Sequence, residues 1–458
     1  RSWKHDMHLL GETSGKNAII VTPSADPDLA VRDIVHSAFA HAGQKCSASS
    51  LLILVGSAGR SSRIARQLVD AAASLRVGLP ASLDSQVGPV VVPDDEKAVR
   101  GLTTLGEGEH WVLTPRYLGE GLWTPGIRAG VRPGSEFHLT EYFAPVLGVM
   151  RVDTLEEAID AVNEVDYGLT SGLHTLDRSE LATWLDGIEA GNLYVNRGIT
   201  GAIVRRQPFG GWKRSAIGST TKAGGPSYLL GLGEVEPVRG TAAGEGASNA
   251  VALAPSVLAL SRAAASDLSA DEAAELTRAL RADALAWASD YGANRDVTGL
   301  ACERNVLRYR ATPVLVRAGS GTSLVDLLRV LAAGLLAGGP IGLSVADRLP
   351  ESVRELLEAS NIEVTCEDAD SWDSRLALVA QSGGLGIRVR VLGPRHEASE
   401  QRWARASRAS SGSPDVALYT GDVTPCPHSE LLPFLREQAV SITNHRFGTP
   451  LDLAAELL

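Results

Sequence analysis

The sequence has 458 residues, of which 44% are hydrophobic and 21% are charged, with 43 Lys and Arg against 54 Asp and Glu. This balance is typical of a globular protein of roughly two to three domains that buries a sizeable core. The net charge of −11 repels a phosphate backbone on average, so a nucleic-acid partner is not expected.

Cysteine usage favours a reducing compartment. The four cysteines, Cys46, Cys302, Cys366 and Cys426, form no CxxC pair, so neither a disulfide framework nor a metal site is predicted. The first ten residues lack a long apolar stretch, which argues against a secretory signal. They also lack an initiating Met, which fits a start inside a larger product. The sequence therefore predicts a cytoplasmic protein.

Strands and helices alternate in the first part of the chain. Asn17 to Thr22 predicts a short strand, and a helix is expected after it, with Asp26 as its cap and Pro27 in its first turn. Ser50 to Val55 predicts the next strand, and a helix is expected from about Arg60 to Leu75. This alternation predicts an α/β fold with a largely parallel sheet.

A second alternation follows a small, polar segment, Thr241 to Asn249, which is predicted to be a linker. It predicts another α/β unit over roughly 250 to 425, without a GxGxxG motif and hence without a dinucleotide site. Its uncharged run, Val330 to Ala346, predicts a buried helix followed by a strand, and no membrane span is expected. Residues 396–414 are expected to form an exposed loop or a frayed helix.

Two polar loops contain candidate catalytic residues. Cys46 lies in GQKCS, between a predicted helix and a predicted strand, where polar neighbours would let its sulfur be hydrated and form thiolate. Glu12 lies in GETSGKN, where Gly and Ser permit a sharp turn and an exposed carboxylate. Taken singly, such a cysteine is most often inert and such an acid is most often a solvated surface group. Together they suggest a nucleophile and a base.

Four motifs occur in an order that resembles the aldehyde dehydrogenase superfamily. They are ETSGKN (12–17), GQKCSA (43–48), TEYFAPVLGV (140–149) and QPFGG (207–211), and 34 positions separate Glu12 from Cys46. Two further segments, 192–229 and 433–450, resemble the L-glutamate γ-semialdehyde (1-pyrroline-5-carboxylate) dehydrogenase module and the closing motif of bifunctional proline utilization A. The resemblance implies four parts: residues 1–240 as the catalytic (nucleophile) domain, 241–249 as a linker, 250–425 as a second, non-catalytic α/β domain resembling an inactive aldehyde dehydrogenase-like unit, and 426–458 as a lid motif over an internal channel.

The resemblance also implies a mechanism. Cys46 would add to the aldehyde, hydride would pass to NAD, and Glu12 would activate the water that hydrolyses the thioester. The backbone N–H of Cys46 is a candidate donor to the developing oxyanion. Glu141 would hydrogen-bond the nicotinamide ribose, and Phe143 would pack beside the nicotinamide ring. Plain core packing remains the alternative for Phe143.

Substrate recognition is expected from a loop and a hydroxyl. Glutamate semialdehyde has an α-carboxylate at the end opposite its aldehyde, and free backbone N–H groups at Gly201 and Ala202, with the hydroxyl of Ser47, could hold it. Phe209 would line the aliphatic stem. The alternative for Gly201 is a surface turn that merely needs glycine.

The same resemblance implies parts beyond this sequence. The cofactor-binding half of the dehydrogenase would precede residue 1, so these 458 residues alone are expected to bind NAD poorly. A proline dehydrogenase domain with FAD is expected further upstream in the same polypeptide, and a homo-oligomer is expected. Cys302, Cys366 and Cys426 are predicted to be structural. Two alternatives remain: a non-catalytic scaffold with this fold, and a dehydrogenase for another aldehyde.

Overall fold

The computed structural model describes residues 7–233 and 251–458, so the predicted linker lies outside the described residues. The chain forms two compact units. The first unit comprises 12–215, 296–307 and 438–458, and the second comprises the described residues among 7–11, 216–295 and 308–437. The helices are α1 (Pro27–Phe39), α2 (Ser62–Ala73), α3 (Glu96–Thr103), α4 (Glu136–Leu139), α5 (Leu155–Asn163), α6 (Arg178–Gly187), α7 (Pro255–Ala263), α8 (Ala270–Ala286), α9 (Leu324–Ala337), α10 (Glu351–Ala359), α11 (Ala369–Gln381), α12 (Ser399–Ala409) and α13 (Pro427–Leu431).

Most strands belong to two parallel sheets, one in each unit, and the rest form short two-stranded pairs. The strands are β1 (Gly11–Glu12), β2 (Asn17–Val21), β3 (Ser49–Val55), β4 (His110–Leu113), β5 (Tyr117–Gly119), β6 (Leu122–Trp123), β7 (Gly126–Val131), β8 (Val146–Val152), β9 (Tyr167–Gly168), β10 (Thr170–His174), β11 (Asn192–Val195), β12 (Trp212–Lys213), β13 (Ala216–Ile217), β14 (Arg295–Asp296), β15 (Glu303–Ala311), β16 (Val314–Ala318), β17 (Ile341–Val345), β18 (Glu363–Cys366), β19 (Ile387–Leu392), β20 (Val416–Tyr419), β21 (Leu435–Thr443), β22 (His445–Arg446) and β23 (Thr449–Pro450).

The sheet of the first unit has ten strands in the order β14-β15-β21-β11-β10-β2-β3-β8-β7-β4. From β21 to β7 the neighbouring strands run parallel, and β4 pairs antiparallel to β7. The central strand β2 is buried along its whole length, as expected of a parallel strand covered on both faces. The prediction of an α/β fold with a largely parallel sheet is confirmed.

Local chemistry explains where α1 begins. The side chain of Asp26 accepts hydrogen bonds from the N–H groups of Asp28 at 3.0 Å and Leu29 at 3.2 Å, and Pro27 opens the helix. An aspartate cap followed by proline satisfies N–H groups that have no partner inside the helix. The buried face of α1 includes Ile34 and Phe39, both fully buried, and it carries the chain toward Cys46.

The second unit has a five-stranded sheet in the order β18-β17-β16-β19-β20, with all neighbours parallel. The predicted buried helix and following strand are α9 and β17. After β16, the N–H of Gly321 donates to the carboxylate of Asp347 at 2.8 Å. That N–H is therefore occupied by the protein's own carboxylate, in a turn where a nucleotide-binding fold would bind phosphate.

The structure differs from the sequence-based expectations in two places. Residues 396–414 contain the helix α12, whose Arg402 and Trp403 are buried, so the segment is packed and the expected exposed loop is wrong. Residues 438–458 belong to the first unit, where β21 pairs with β11 from Asn192↔Ala439 to Val195↔Ile442. The predicted boundaries at 240 and 426 therefore differ from the limits of the compact units. The lid role of the terminal motif stays a prediction.

Candidate active site

Cys46 lies in a tight turn between α1 and β3. The N–H of Ala48 donates to the carbonyl of Lys45 at 2.9 Å, which closes the turn around Cys46. Just before it, His41 and Ala42 have positive φ angles of 56° and 55°, a conformation that costs free energy in residues other than glycine and recurs at functional sites. The turn therefore presents Cys46 from strained backbone, as its position between a helix and a strand predicts.

Gly43 lets this loop approach the segment of the third motif. Its φ is 68°, and an added Cβ would collide with the carbonyl oxygen of Ala144. Glycine is therefore required here both by its backbone conformation and by space. This contact brings the GQKCSA and TEYFAPVLGV segments together.

The thiol of Cys46 is half-buried and has two acidic neighbours. Burial raises its pKa, and the carboxylates of Glu12 and Glu141 raise the pKa further, while the N–H groups of Ser47 and of Cys46 itself lower it. The loop therefore does not by itself favour the thiolate, which corrects the expectation from its polar neighbours. The N–H groups of Ser47 and Cys46 are the contacts that favour the thiolate.

Glu12 and Glu141 occupy different environments. Glu12 is exposed at the end of β1, where water can reach its carboxylate. Glu141 is partly buried. Burial raises its pKa, whereas hydrogen bonds from the N–H of Gly15 and the side chain of Ser14 lower the pKa. The Gly15 N–H donates to Oε1 at 3.3 Å. The ETSGKN segment thus contains Glu12 and also donates hydrogen bonds to the carboxylate of Glu141.

A small cavity separates these motifs. Its lining includes Gly15, Lys45, Glu141 and Phe143. Phe143 has a φ of 55° and a side chain that is 39% exposed, which argues against the alternative of plain core packing. The cavity thus has a carboxylate that can accept hydroxyl hydrogen bonds and an aromatic face beside it.

The predicted substrate-binding residues are spread over two segments. Ser47 is buried next to Cys46, whereas Gly201 and Ala202 are exposed in the loop after β11. Gly201 has a φ of 83° and open space around it, so its backbone conformation alone favours glycine. Phe209 is partly buried. The assignment of these residues to substrate binding stays a prediction that rests on the resemblance.

Three buried polar residues were missed by the sequence analysis. Gln207 fastens the 201–206 loop: its Oε1 accepts from the N–H of Ile203 at 3.0 Å, and its Nε2 donates to Asn305 at 2.7 Å and to Ser441 at 3.1 Å. The other two are Lys16 and Asn17, which directly follow Gly15. A sequence signal existed for all three, because each lies inside a quoted motif.

Lys16 carries an amine inside the core of the first unit. The residue is 3% exposed, and its Nζ lies 4.1 Å from the centroid of the Phe137 ring without a hydrogen-bond partner among the described residues. Burial lowers its pKa to about 7; Glu141 acts in the opposite direction, and Arg128 lowers the pKa further. The amine is therefore close to half-neutral at neutral pH.

The other cysteines show no comparable surroundings. All four cysteines are free, and Cys302 and Cys366 are exposed.

In the parts of the chain that the structure describes, no group of three or more His, Cys, Asp or Glu residues is arranged to hold a metal ion. Within the same ranges, no helix is both long enough and apolar enough to cross a membrane.

Known proteins resemble this chain over two different lengths. The 1-pyrroline-5-carboxylate dehydrogenases of Geobacillus sp. (strain WCH70) and Bacillus subtilis (strain 168) are each 35% identical to it over 228 residues, which cover 48% of this chain and 43% of each enzyme. The chain thus spans less than half the length of these relatives. A solved structure of proline utilization A from Corynebacterium freiburgense matches 98% of the chain at 41% identity with a TM-score of 0.78, and the match covers 41% of that protein.

The family assignment rests on the segment that contains all four motifs. The model of the aldehyde dehydrogenase family matches residues 4–234, which include Glu12, Cys46, Glu141 and the loop after β11. All of these residues lie in the first unit. The chain belongs to the aldehyde dehydrogenase family.

Proposed function

We propose that this chain supplies the nucleophile half of an NAD-dependent dehydrogenase that oxidises L-glutamate γ-semialdehyde to L-glutamate in proline catabolism. The observation that carries the proposal is the convergence of Cys46, Glu12 and Glu141, held together by the ETSGKN segment. The names of the relatives, 1-pyrroline-5-carboxylate dehydrogenase and proline utilization A, support this substrate over other aldehydes.

Cys46 and Glu12 carry the covalent steps. The sulfur of Cys46, once deprotonated, adds to the aldehyde carbon to give a hemithioacetal, whose oxyanion the N–H of Cys46 stabilises. Loss of hydride leaves a thioester on Cys46. Glu12 then takes a proton from water, the hydroxide adds to the thioester, and the acid leaves as the thiolate is restored. The exposure of Glu12 suits this second role because water can reach it.

The residues around the small cavity fit the nicotinamide end of NAD. Glu141 has a partly buried carboxylate with an oxygen that can accept hydrogen bonds from ribose hydroxyls, and Phe143 offers an exposed ring beside it. When bound, NAD accepts the hydride that leaves the substrate carbon. Ser47, Gly201 and Ala202 would bind the α-carboxylate of the substrate, and Phe209 would contact its aliphatic stem.

The remaining parts of the proposal rest on the resemblance to proline utilization A. The whole protein would join this dehydrogenase to an upstream proline dehydrogenase domain with FAD, act as a homo-oligomer and reside in the cytoplasm. The second unit would be a non-catalytic relative of the dehydrogenase fold, and the terminal motif would help to cover an internal channel between active sites.

The substrate is tested by NADH formation in the natural full-length protein. We expect glutamate semialdehyde to be oxidised with a kcat/KM at least about tenfold above that of a simple aliphatic aldehyde, because it alone offers a carboxylate to the loop. Equal values would favour a dehydrogenase for another aldehyde. No NADH from any aldehyde would favour the non-catalytic scaffold.

A further inference from the structure

Asn17 is a buried residue whose side chain binds main-chain groups from three segments. It is 1% exposed and begins β2. Its Nδ2 donates to the carbonyl of Cys46 at 2.7 Å, to that of Ala48 at 3.0 Å and, at a longer 3.3 Å, to that of Gly15. Its Oδ1 accepts from the N–H of Thr170 at 3.0 Å. The side-chain amide of Asn17 therefore links the turn around Cys46 to Thr170 of β10.

The position of Asn17 in the sheet explains this role. The register of β2 against β3 shifts between Asn17, opposite Ser49, and Ala18, opposite Leu51. The regular ladder of main-chain hydrogen bonds is interrupted at this point. Beyond this interruption, hydrogen bonds from the side chain of Asn17 take the place of main-chain hydrogen bonds. They hold the turn that Lys45 and Ala48 close.

The carbonyl that Asn17 binds belongs to a peptide group that also faces the sulfur. Because a peptide is planar and trans, fixing the Cys46 oxygen fixes the direction of the Ser47 N–H on the opposite side of the same plane. That N–H is one of the two groups that lower the pKa of Cys46, against burial and the carboxylates of Glu12 and Glu141, which raise it.

We propose that Asn17 is a positioning residue for the nucleophile: its amide holds the Cys46 carbonyl and thereby keeps the Ser47 N–H directed at the reacting sulfur. The inference rests on the proposed function only in taking Cys46 as the nucleophile. Asparagine suits the task because it offers donors and an acceptor on one planar group. Alanine would leave the buried carbonyls of Cys46 and Ala48 without this donor, and aspartate would place a carboxylate against them.

The test measures the reactivity of the Cys46 thiol. Asn17→Ala and Asn17→Asp are made in the natural full-length protein, and alkylation by iodoacetamide is followed over pH, with the labelled peptide identified by mass. We expect Cys46 labelling at neutral pH to fall by about tenfold, the loss of roughly one hydrogen bond to a charged group. The labelling profile should move to higher pH, and kcat should fall while the aldehyde KM changes little.

A control separates this effect from a general loss of hydrogen bonds between an asparagine side chain and the main chain. The side chain of Asn163 also bridges two main-chain groups, with Nδ2 donating to Gly187 at 2.8 Å and Oδ1 accepting from Glu189 at 2.9 Å, outside the motifs of the site. Asn163→Ala should leave the labelling of Cys46 unchanged.

Each outcome decides the inference. Wild-type labelling over the whole pH range in a folded Asn17 variant would overturn it, as would an equal loss in Asn163→Ala. If only Asn17→Asp folds, that variant decides. If neither folds while Asn163→Ala does, the side chain is a requirement of the fold and the positioning role is rejected. Because labelling needs no aldehyde or NAD, failure to oxidise glutamate semialdehyde would contradict the proposed function alone.

Discussion

The amine of Lys16 is buried beside an aromatic ring, and this burial makes stability depend on pH. In the unfolded chain a lysine has a pKa of 10.5, whereas in the folded protein burial lowers the pKa of Lys16 to about 7. Between these values the unfolded state holds a proton that the folded state has released. Stability therefore rises with pH through this window, and the full penalty remains below about pH 7.

Replacing Lys16 by methionine should remove this penalty. We expect Lys16→Met to be more stable than the wild type by on the order of a few kcal/mol at neutral pH, with a smaller difference near pH 10. Urea unfolding at both pH values measures the change. The exposed Lys97 provides the control, because Lys97→Met should leave both values nearly unchanged. A Lys16→Met variant that is no more stable and keeps the wild-type pH slope would contradict the argument.

Phe143 is expected to serve binding more than stability. Its ring is 39% exposed, so Phe143→Ala should change the free energy of unfolding by only about 0.5 kcal/mol while raising the KM for NAD several-fold. Phe137, 2% exposed in the core, provides the contrast, since Phe137→Ala should cost about 3–5 kcal/mol of stability. An unchanged KM in Phe143→Ala would show that the ring does not contact the cofactor.

The candidate catalytic residues could be named from the sequence, whereas the residues that hold them were missed. Cys46, Glu12 and Glu141 each belong to a motif whose chemistry can be interpreted locally, and the structure brings all three together. The bonds of Asn17 to Cys46 and Thr170 depend on which strands are neighbours in the sheet. Spacing along the chain does not contain that information, so the motif ETSGKN includes Asn17 without showing what its side chain binds.

At the scale of elements, β21 is the clearest example of distant pairing. Its Ile442 is fully buried in the same core cluster as Leu193 of β11. We expect Ile442→Ala to cost about 2–5 kcal/mol of stability, because it leaves a cavity in a packed sheet. Ile203→Ala is the matched control, since that side chain is 48% exposed and should cost about 0.5 kcal/mol or less. Equal costs would mean that β21 is not integral to the first unit.

Elements with a strong local pattern were predicted, and those whose burial depends on distant partners were not. α1 was expected from its Asp26 cap and apolar spacing, and it forms as expected. α12 was expected only as an exposed loop or a frayed helix, because its sequence, SEQRWARASRA, is mostly polar. Arg402 is nevertheless buried, since its guanidinium donates to the carbonyls of Thr420 and Glu397. Hydrogen bonding to backbone carbonyls makes burial of this arginine possible.

At the scale of the whole molecule, the alternation of strands and helices predicted an α/β protein but not how the chain is divided. Residues 296–307 and 438–458 return to the first unit after long excursions through the second. A boundary drawn where composition changes, as at 241–249, cannot anticipate such returns. The match to the family model nevertheless ends at residue 234, close to that change in composition. A family model follows sequence similarity and does not depend on how the chain is divided into compact units.

The most direct test of the central claim follows covalent chemistry at Cys46. The natural full-length protein is incubated with NAD and glutamate semialdehyde, beside Cys46→Ala and Glu12→Gln variants, and NADH and intact mass are measured. Cys46→Ala should form no NADH. Glu12→Gln should form about one NADH per site and retain a thioester on Cys46, because no base activates water. Steady-state turnover in Cys46→Ala, or wild-type turnover in Glu12→Gln, would contradict the mechanism.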